Sequence, residues 1–233
     1  MLQPNTQPEP AFEPYSTLSM RVAEQVKNQL IRKPDSVIGC PTGRTPTGCY
    51  RILARWSKDN EIVWSKAKCF GLDEYIDVEE SGSFRHYLEQ NLYKSTNLRP
   101  GSRFSPFFTD DYDGLIAGNG GLDLTILGIG TNGHIAFNEP GTPKESYTHS
   151  IWLTESTRQA NAEFFGGIEK TPTRAVTMGI GTILSSRRII LMVSGRQKKG
   201  ILTKALEGPV TTDVPASFLQ LHRAVSVMTD FDV

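Results

Sequence analysis

The sequence has little of what would tie it to a charged or apolar partner. Twenty-five lysines and arginines are balanced by 25 aspartates and glutamates in 233 residues. No net field therefore draws it to nucleic acid or an anionic membrane, and any anion has to be recognised by local groups. No run approaches the roughly 20 apolar residues of a membrane helix, and the first residues lack the basic-then-apolar order of an export signal. Only three cysteines occur, Cys40, Cys49 and Cys69, an odd number without metal-ligand spacing. That excludes a paired disulfide framework and suits small packing residues in a reducing compartment. Internal repeats and low-complexity linkers are also absent. The expectation is a soluble, cytoplasmic protein with a small-molecule partner, no nucleic acid and no membrane. Residues 16–233 read as a single domain behind a proline-rich segment, 1–15, expected to be an extended or disordered arm.

What is present alternates between helix and strand. "STLSMRVAEQVKNQLIRK" places Leu18, Val22, Val26 and Leu30 on one helical face behind a Ser16 or Thr17 cap, and Pro34 stops it. "DSVIGC" reads as a buried strand, "TPTGCYRILARWSKDN" as a helix entered through Pro46, and "KAKCFGL" as a second strand. The order continues through "SFRHYLEQNLYKS" (helix), "LDLTILGI" (strand), "RAVTMGIGTILSS" (mixed), "RRIILMVSG" (strand), "QKKGILTKALEG" (helix) and "RAVSVMTD" (strand). This predicts an α/β fold: a doubly wound, mainly parallel sheet with helices on both faces. Ligands of such sheets bind beyond the carboxyl ends of the strands, which singles out "PTGRTP", "DEY", "GTNGHIAFNEP" and "SGRQKK".

Each of these loops carries its own chemistry. "PTGRTP" sets Thr42, Gly43 and Thr45 before a helix N-terminus, where glycine lets the backbone approach an anion and free amides and hydroxyls can donate. It reads equally as a tight turn with a Thr cap and Arg44 in solvent. No Gly-Lys-Ser/Thr ending follows, so it is not a Walker loop. Asp73 and Glu74 in "GLDEY" face opposite ways on an extended backbone, so one of them reaches a site, where burial would fit it as a general base. Asp73 is the choice; the alternative is a helix-capping Asp beside a solvated Glu. "GIGTNGHIAFNEP" has the Gly128-x-Gly130-x-x-Gly133 spacing of a dinucleotide turn, but Pro140, Gly141 and Pro143 break the helix that turn needs. The glycines are read instead as a sharp turn holding His134 at the mouth of the sheet, with Glu139 to orient it or tune its charge. His86, His149 and His222 are assigned to packing or surface. Lys198 opens a helix, an end that disfavours cations, and gains meaning if it meets a ligand anion. Arg158 in "ESTRQANAEFF" offers a planar guanidinium to phosphate. Taken singly, either is also a solvated surface charge.

The segments "PTGRTP", "LDEY", "LGIGTNGHIAFNEP", "TRQANAEFF", "GIGTIL" and "PASFLQLH" occur in one order. In them the chain resembles, from about residue 17 onward, the glucosamine/galactosamine-6-phosphate isomerase (deaminase) family. The resemblance implies a Rossmann-like domain that converts a 2-amino-2-deoxyhexose 6-phosphate to a ketose 6-phosphate plus ammonia, without redox cofactor or catalytic metal. It allows several assemblies, a homo-oligomer among them. It implies that Asp73 moves a proton between C2 and C1, that His134 assists ring opening, and that Glu139 supports the histidine. It assigns Thr42, Gly43, Arg44, Thr45, Gly130, Arg158 and Lys198 to substrate or phosphate binding.

Asn132 departs from the glucosamine branch, which has an aspartate there. An amide supplies no negative charge, so His134 would be less biased toward its cation. With "PASFLQLH", this resembles the galactosamine 6-phosphate branch, whose product is tagatose 6-phosphate. The alternatives are a glucosamine 6-phosphate deaminase giving fructose 6-phosphate, a 6-phosphogluconolactonase-like hydrolase, and a non-catalytic sugar-phosphate sensor. Arg44 stands where the family has a small residue, and the C-terminal extension of the allosteric enzymes is expected to be missing.

Overall fold

The computed structural model describes residues 14–232, so residues 1–13 of the expected arm lie outside the described residues. Helix α1 (Pro14–Arg32) buries Leu18, Val22, Val26 and Leu30, as their spacing requires. It begins at Pro14, so Pro14 and Tyr15 are helical rather than part of an arm, and a proline suits a first helical position. There follow β1 (Val37–Cys40), α2 (Thr47–Lys58), β2 (Lys68–Gly71), β3 (Asp73–Tyr75), α3 (Phe84–Asn91), β4 (Arg103–Phe104), α4 (Tyr112–Gly118) and β5 (Leu124–Leu127). The second half comprises β6 (His149–Trp152), α5 (Glu155–Phe165), β7 (Arg174–Thr177), α6 (Ile180–Leu184), β8 (Ile189–Val193), α7 (Lys199–Glu207) and β9 (Val225–Thr229).

Six strands form the main sheet in the order β4-β2-β1-β5-β8-β9, with every neighbouring pair parallel. The chain builds outward from β1 to β4 on one side, then returns to the other side of β1 with β5. Strands β1, β5 and β8 are buried along their whole length, as a sheet covered on both faces demands. Side chains alternate between the two covers. Ile38, Ile126 and Ile190 pack with Leu18, Val22, Tyr50 and Leu53 of α1 and α2. Val37, Leu127 and Leu191 pack with Tyr112, Ile116, Ile183 and Leu202 of α4, α6 and α7. The three cysteines are free and buried, and burial pushes the Cys49 thiol well up, with Cys40 adding to it.

A second sheet was not anticipated. Strands β3, β7 and β6 form an antiparallel ribbon in the register Asp73↔Thr177 and His149↔Thr177. His149 thus begins a strand rather than sitting in a loop. Helices α4 and α5 and the two-residue β4 were likewise not anticipated. Among the described residues, no helix is long and apolar enough to cross a membrane.

Gly179, between β7 and α6, lies where a Cβ would stand 2.2 Å from the carbonyl oxygens of Ser146 and Tyr147, whereas a Cβ on Gly101 would meet nothing within 4 Å. Backbone cannot yield as a side-chain tip can. Gly179→Ala is expected to lower the free energy of unfolding by about 3 kcal/mol, with Gly101→Ala near zero. Urea midpoints of the two variants against the parent check this.

Candidate active site

The first loop leaves β1 and enters α2, whose preceding Pro46 makes no side-chain cap, so the Thr-capped turn is not what forms. Gly43 takes a φ of +92°. A cleft of about 600 Å³ is lined by Tyr15, Arg44, Thr45, Thr47 and Arg51 on the side of the first loop and by Ser194, Gly195, Gln197 and Lys198 after β8. Lys198 sits in the 3-10 turn that leads into α7. Its amine hydrogen-bonds the carbonyl of Ile129, just past β5, and burial lowers its pKa. Two of the expected anion-binding loops therefore share one cleft.

Two other expected phosphate ligands, Thr42 and Arg158, lie outside that lining, and Arg44 lines the cleft with its guanidinium paired elsewhere. Thr42 lies beside Asp73. The Arg44 guanidinium is exposed and pairs with Glu163 of α5. Arg158 is not among the residues lining the cleft. Its Nη2 donates to the carbonyls of Ile168 at 2.8 Å and Thr171 at 3.2 Å, while its Nε is buried without a partner.

The adjacent carboxylates separate as an extended backbone requires, with a twist on the expected alternative. Glu74, not Asp73, reaches a helix end: it accepts from the amide of its neighbour Tyr75 (3.0 Å) and from those of Phe84 (2.7 Å) and Arg85 (2.8 Å), the first residues of α3, which Ser83 caps. It is buried, and burial outweighs those amides to leave its pKa above the ordinary value. Asp73 is 8% exposed, and its Oδ1 has no hydrogen-bond partner. Burial first, and the Glu74 charge second, raise its pKa to about 8 against the pull of the Thr42 hydroxyl. A carboxyl group with a single hydroxyl donor in a dry setting is poised to exchange a proton near neutrality.

The glycine turn after β5 holds a histidine and no nucleotide-type helix. A Cβ on Gly130 would lie 2.3–2.5 Å from three atoms of the His134 ring, so the imidazole occupies the space that glycine leaves. His134 Nδ1 stands 3.6 Å from Glu139 Oε2, near enough for charge but longer than a hydrogen bond. Asn132 does not touch the ring: its amide donates to Glu139 Oε2 at 2.6 Å, and its Oδ1 accepts from the His134 backbone amide at 3.2 Å. Glu139 also accepts from the Thr157 hydroxyl and from Thr154 at 3.4 Å. Burial opposes its ionisation, but His134, Thr157 and Asn132 together hold its pKa below the ordinary value. Of the remaining histidines, His86 lies on α3 and His222 is held by the Ser186 carbonyl and the Ala224 amide.

One scaffold joins the histidine turn to Asp73. The end of β7 pairs Thr177 with Asp73, and the Thr177 hydroxyl accepts from the Phe137 amide at 3.0 Å. Asn138, fully buried, donates to the carbonyls of Ile135 (2.9 Å) and Met178 (2.8 Å), while Met178 donates to Leu72 at 2.7 Å. Sequence reasoning missed Thr154, Thr157 and Thr177 as supports and Arg51 and Ser194 as cleft residues. Thr154 followed by Glu155 was a visible N-cap signal, and Thr154 does cap α5. Arg51 lies one turn after Thr47 on the same helical face. Among the described residues, no group of three or more His, Cys, Asp or Glu side chains converges to hold a metal.

Residues 13–228 match the family of glucosamine-6-phosphate isomerases/6-phosphogluconolactonase. The chain is 42% identical to a glucosamine-6-phosphate deaminase of Lachnoclostridium phytofermentans over 94% of its length and 97% of the relative's. It is 42% identical to one of Halothermothrix orenii over 94% and 95%. Among solved structures it superposes on a monomeric glucosamine-6-phosphate deaminase with a TM-score of 0.89 at 40% identity, covering 92% of this chain and 93% of that one. A 6-phosphogluconolactonase from Trypanosoma cruzi shares the fold at a TM-score of 0.75 and 17% identity, covering 92% and 91%.

Folded Asp73 keeps its proton up to about pH 8, while an unfolded aspartate has lost it above about pH 4. Between those limits the folded state holds the extra proton, so this group makes stability fall as pH rises, by at most about 5 kcal/mol. Asp73→Asn removes that slope. The variant's stability advantage is expected to grow toward pH 8 and level off above it. Urea denaturation across this range checks the prediction; parallel curves would show that the carboxyl group is not held protonated.

Proposed function

The chain belongs to the glucosamine-6-phosphate isomerase/6-phosphogluconolactonase family, and from that premise we propose that it is an amino-sugar phosphate deaminase acting on glucosamine 6-phosphate. The products would be fructose 6-phosphate and ammonia. The observation that carries the reading is the donor-poor, buried Asp73 carboxyl group, with its pKa raised to about 8, on a strand paired with the Thr177 that also holds the Phe137 amide of the histidine turn. Glucosamine is preferred to galactosamine on two grounds. The relatives that resemble most of this chain carry the glucosamine name. Asn132, which suggested the galactosamine branch, contacts Glu139 and the histidine backbone, and so bears on the charge of the relay rather than on a sugar hydroxyl.

In this mechanism the 6-phosphate is held by Lys198 and the first loop, and binding energy at that remote group positions C1 and C2. His134, with Glu139 behind it, transfers a proton during opening of the pyranose ring. The substrate's 2-ammonium group then lies near Asp73 and favours its ionised form, which arms the base when substrate is present. Asp73 removes the C2 proton, the electron pair closes the C1–C2 double bond as the C1 carbonyl oxygen takes a proton from the 2-ammonium group to give the enolamine, and the proton on Asp73 is then returned to C1. The resulting imine takes up one water and releases ammonia, leaving the ketose. For Arg158 to serve as a further phosphate ligand it would first have to leave the Ile168 and Thr171 carbonyls that it holds. We place the protein in the cytoplasm, consistent with three free cysteines. We propose a monomer, following the description of its structural relative, over the homo-oligomer also considered.

Ammonia release from glucosamine 6-phosphate and galactosamine 6-phosphate, measured in parallel with lactone hydrolysis, is expected to be largest for the glucosamine epimer. Asp73→Asn is expected to lower kcat by about a thousandfold while inorganic phosphate still binds. Preference for galactosamine 6-phosphate would restore the other branch; lactone hydrolysis without ammonia, or thermal stabilisation without any product, would replace the reading altogether.

A further inference from the structure

Two tyrosines from different helices converge on the first loop from outside its own sequence. The Tyr15 hydroxyl, in the first turn of α1, donates to the carbonyls of Thr45 (3.0 Å) and Arg44 (3.2 Å) and accepts from the Gly48 amide at 3.0 Å. The Tyr87 hydroxyl, on α3, donates to the Gly43 carbonyl at 2.6 Å. The Thr47 hydroxyl reinforces it, 2.9 Å from the Tyr87 oxygen and 3.1 Å from the same carbonyl. Three successive carbonyls are thus held by two phenols. Burial pushes the Tyr87 phenol up to about 12, so it remains a donor at any physiological pH.

Across a trans peptide the carbonyl of one residue and the N–H of the next point in opposite directions. Holding the Gly43 carbonyl on Tyr87 turns the Arg44 N–H away from that phenol, and holding the Arg44 carbonyl on Tyr15 does the same for the Thr45 N–H. The third carbonyl precedes Pro46, which has no N–H to place. Among the described residues, the Arg44 and Thr45 amides donate to no protein acceptor, and both residues line the cleft that holds Lys198.

We propose that Tyr15 and Tyr87 are positioning residues: by fixing the peptide planes of residues 43–45 they keep the Arg44 and Thr45 amides presented to the phosphate of the substrate. This rests on the reading of the cleft as the phosphate site. Neither phenol touches the reacting carbons, so their loss should weaken capture of the anion and leave the chemical step alone. Without the phenols the peptide planes can rotate and let the amides turn to water, which raises the cost of ordering them on each binding event.

The test uses Tyr15→Phe and Tyr87→Phe, which keep both rings, with Lys198→Gln as a reference for direct loss of phosphate binding. Each phenylalanine variant is expected to raise KM for glucosamine 6-phosphate and the inhibition constant of inorganic phosphate in parallel, by about five- to tenfold. Their kcat should stay within about twofold. Phosphate binding as tight as in the parent, or a fall in kcat with KM unchanged, in either folded variant overturns the proposal. If one variant fails to fold, the other decides. Should Lys198→Gln lose phosphate while both phenylalanine variants keep it, the cleft assignment stands and the role of the tyrosines falls. Should the parent itself bind neither phosphate nor sugar phosphate, the functional reading falls instead.

Discussion

Parallel pairing of β1 with β2 on one side and β5 on the other dictates where every polar group of interest ends up. Parallel neighbours point their carboxyl ends the same way, and the chain must leave each of them over the same rim. Because the strand order reverses between β1 and β5, the loops that follow them diverge to opposite faces and leave a crevice between. The first loop, Asp73 and the histidine turn all arise at that rim, and Lys198 joins them by following β8, the next strand out. Its hydrogen bond to Ile129 ties the last loop directly to the end of β5.

Within that crevice the electrostatics divide by access to donors. Glu74 and Glu139 are both buried, yet each accepts from several amides or hydroxyls, one at a helix end and one behind an imidazole. Asp73 is equally dry and has almost none of this support. The difference between a structural carboxylate and a reactive one is here a matter of how many N–H and O–H groups face it. Alternation along β3 makes that possible, because it sends the Glu74 side chain to the amides at the start of α3 and leaves Asp73 on the other side with only the Thr42 hydroxyl.

Most of the main sheet was legible because its strands are unbroken apolar runs between clear turn residues, as in "LDLTIL" and "RRIILMVSG". Strands β3, β6 and β7 were not, since three or four residues are too short a run to establish an alternation even where the burial alternates, as it does in β6 and β7. Helix α5 was obscured by its polar surface. The positions of Asp73, His134, Glu139 and Lys198 followed from strand ends, but the partner of each depended on long-range contacts that no local pattern encodes. Thr157 reaching Glu139 and Tyr87 reaching Gly43 are examples. Arg158 illustrates the converse, because a guanidinium that suits phosphate suits two backbone carbonyls as well.

The glycine at position 130 makes a wider point about reading patterns. Its missing side chain leaves a recess, and the protein fills that recess with its own imidazole four residues later. A glycine signature ordinarily taken as a doorway for a dinucleotide is in this molecule already tenanted from within, so the same string of letters can record an internal packing need as readily as an external guest.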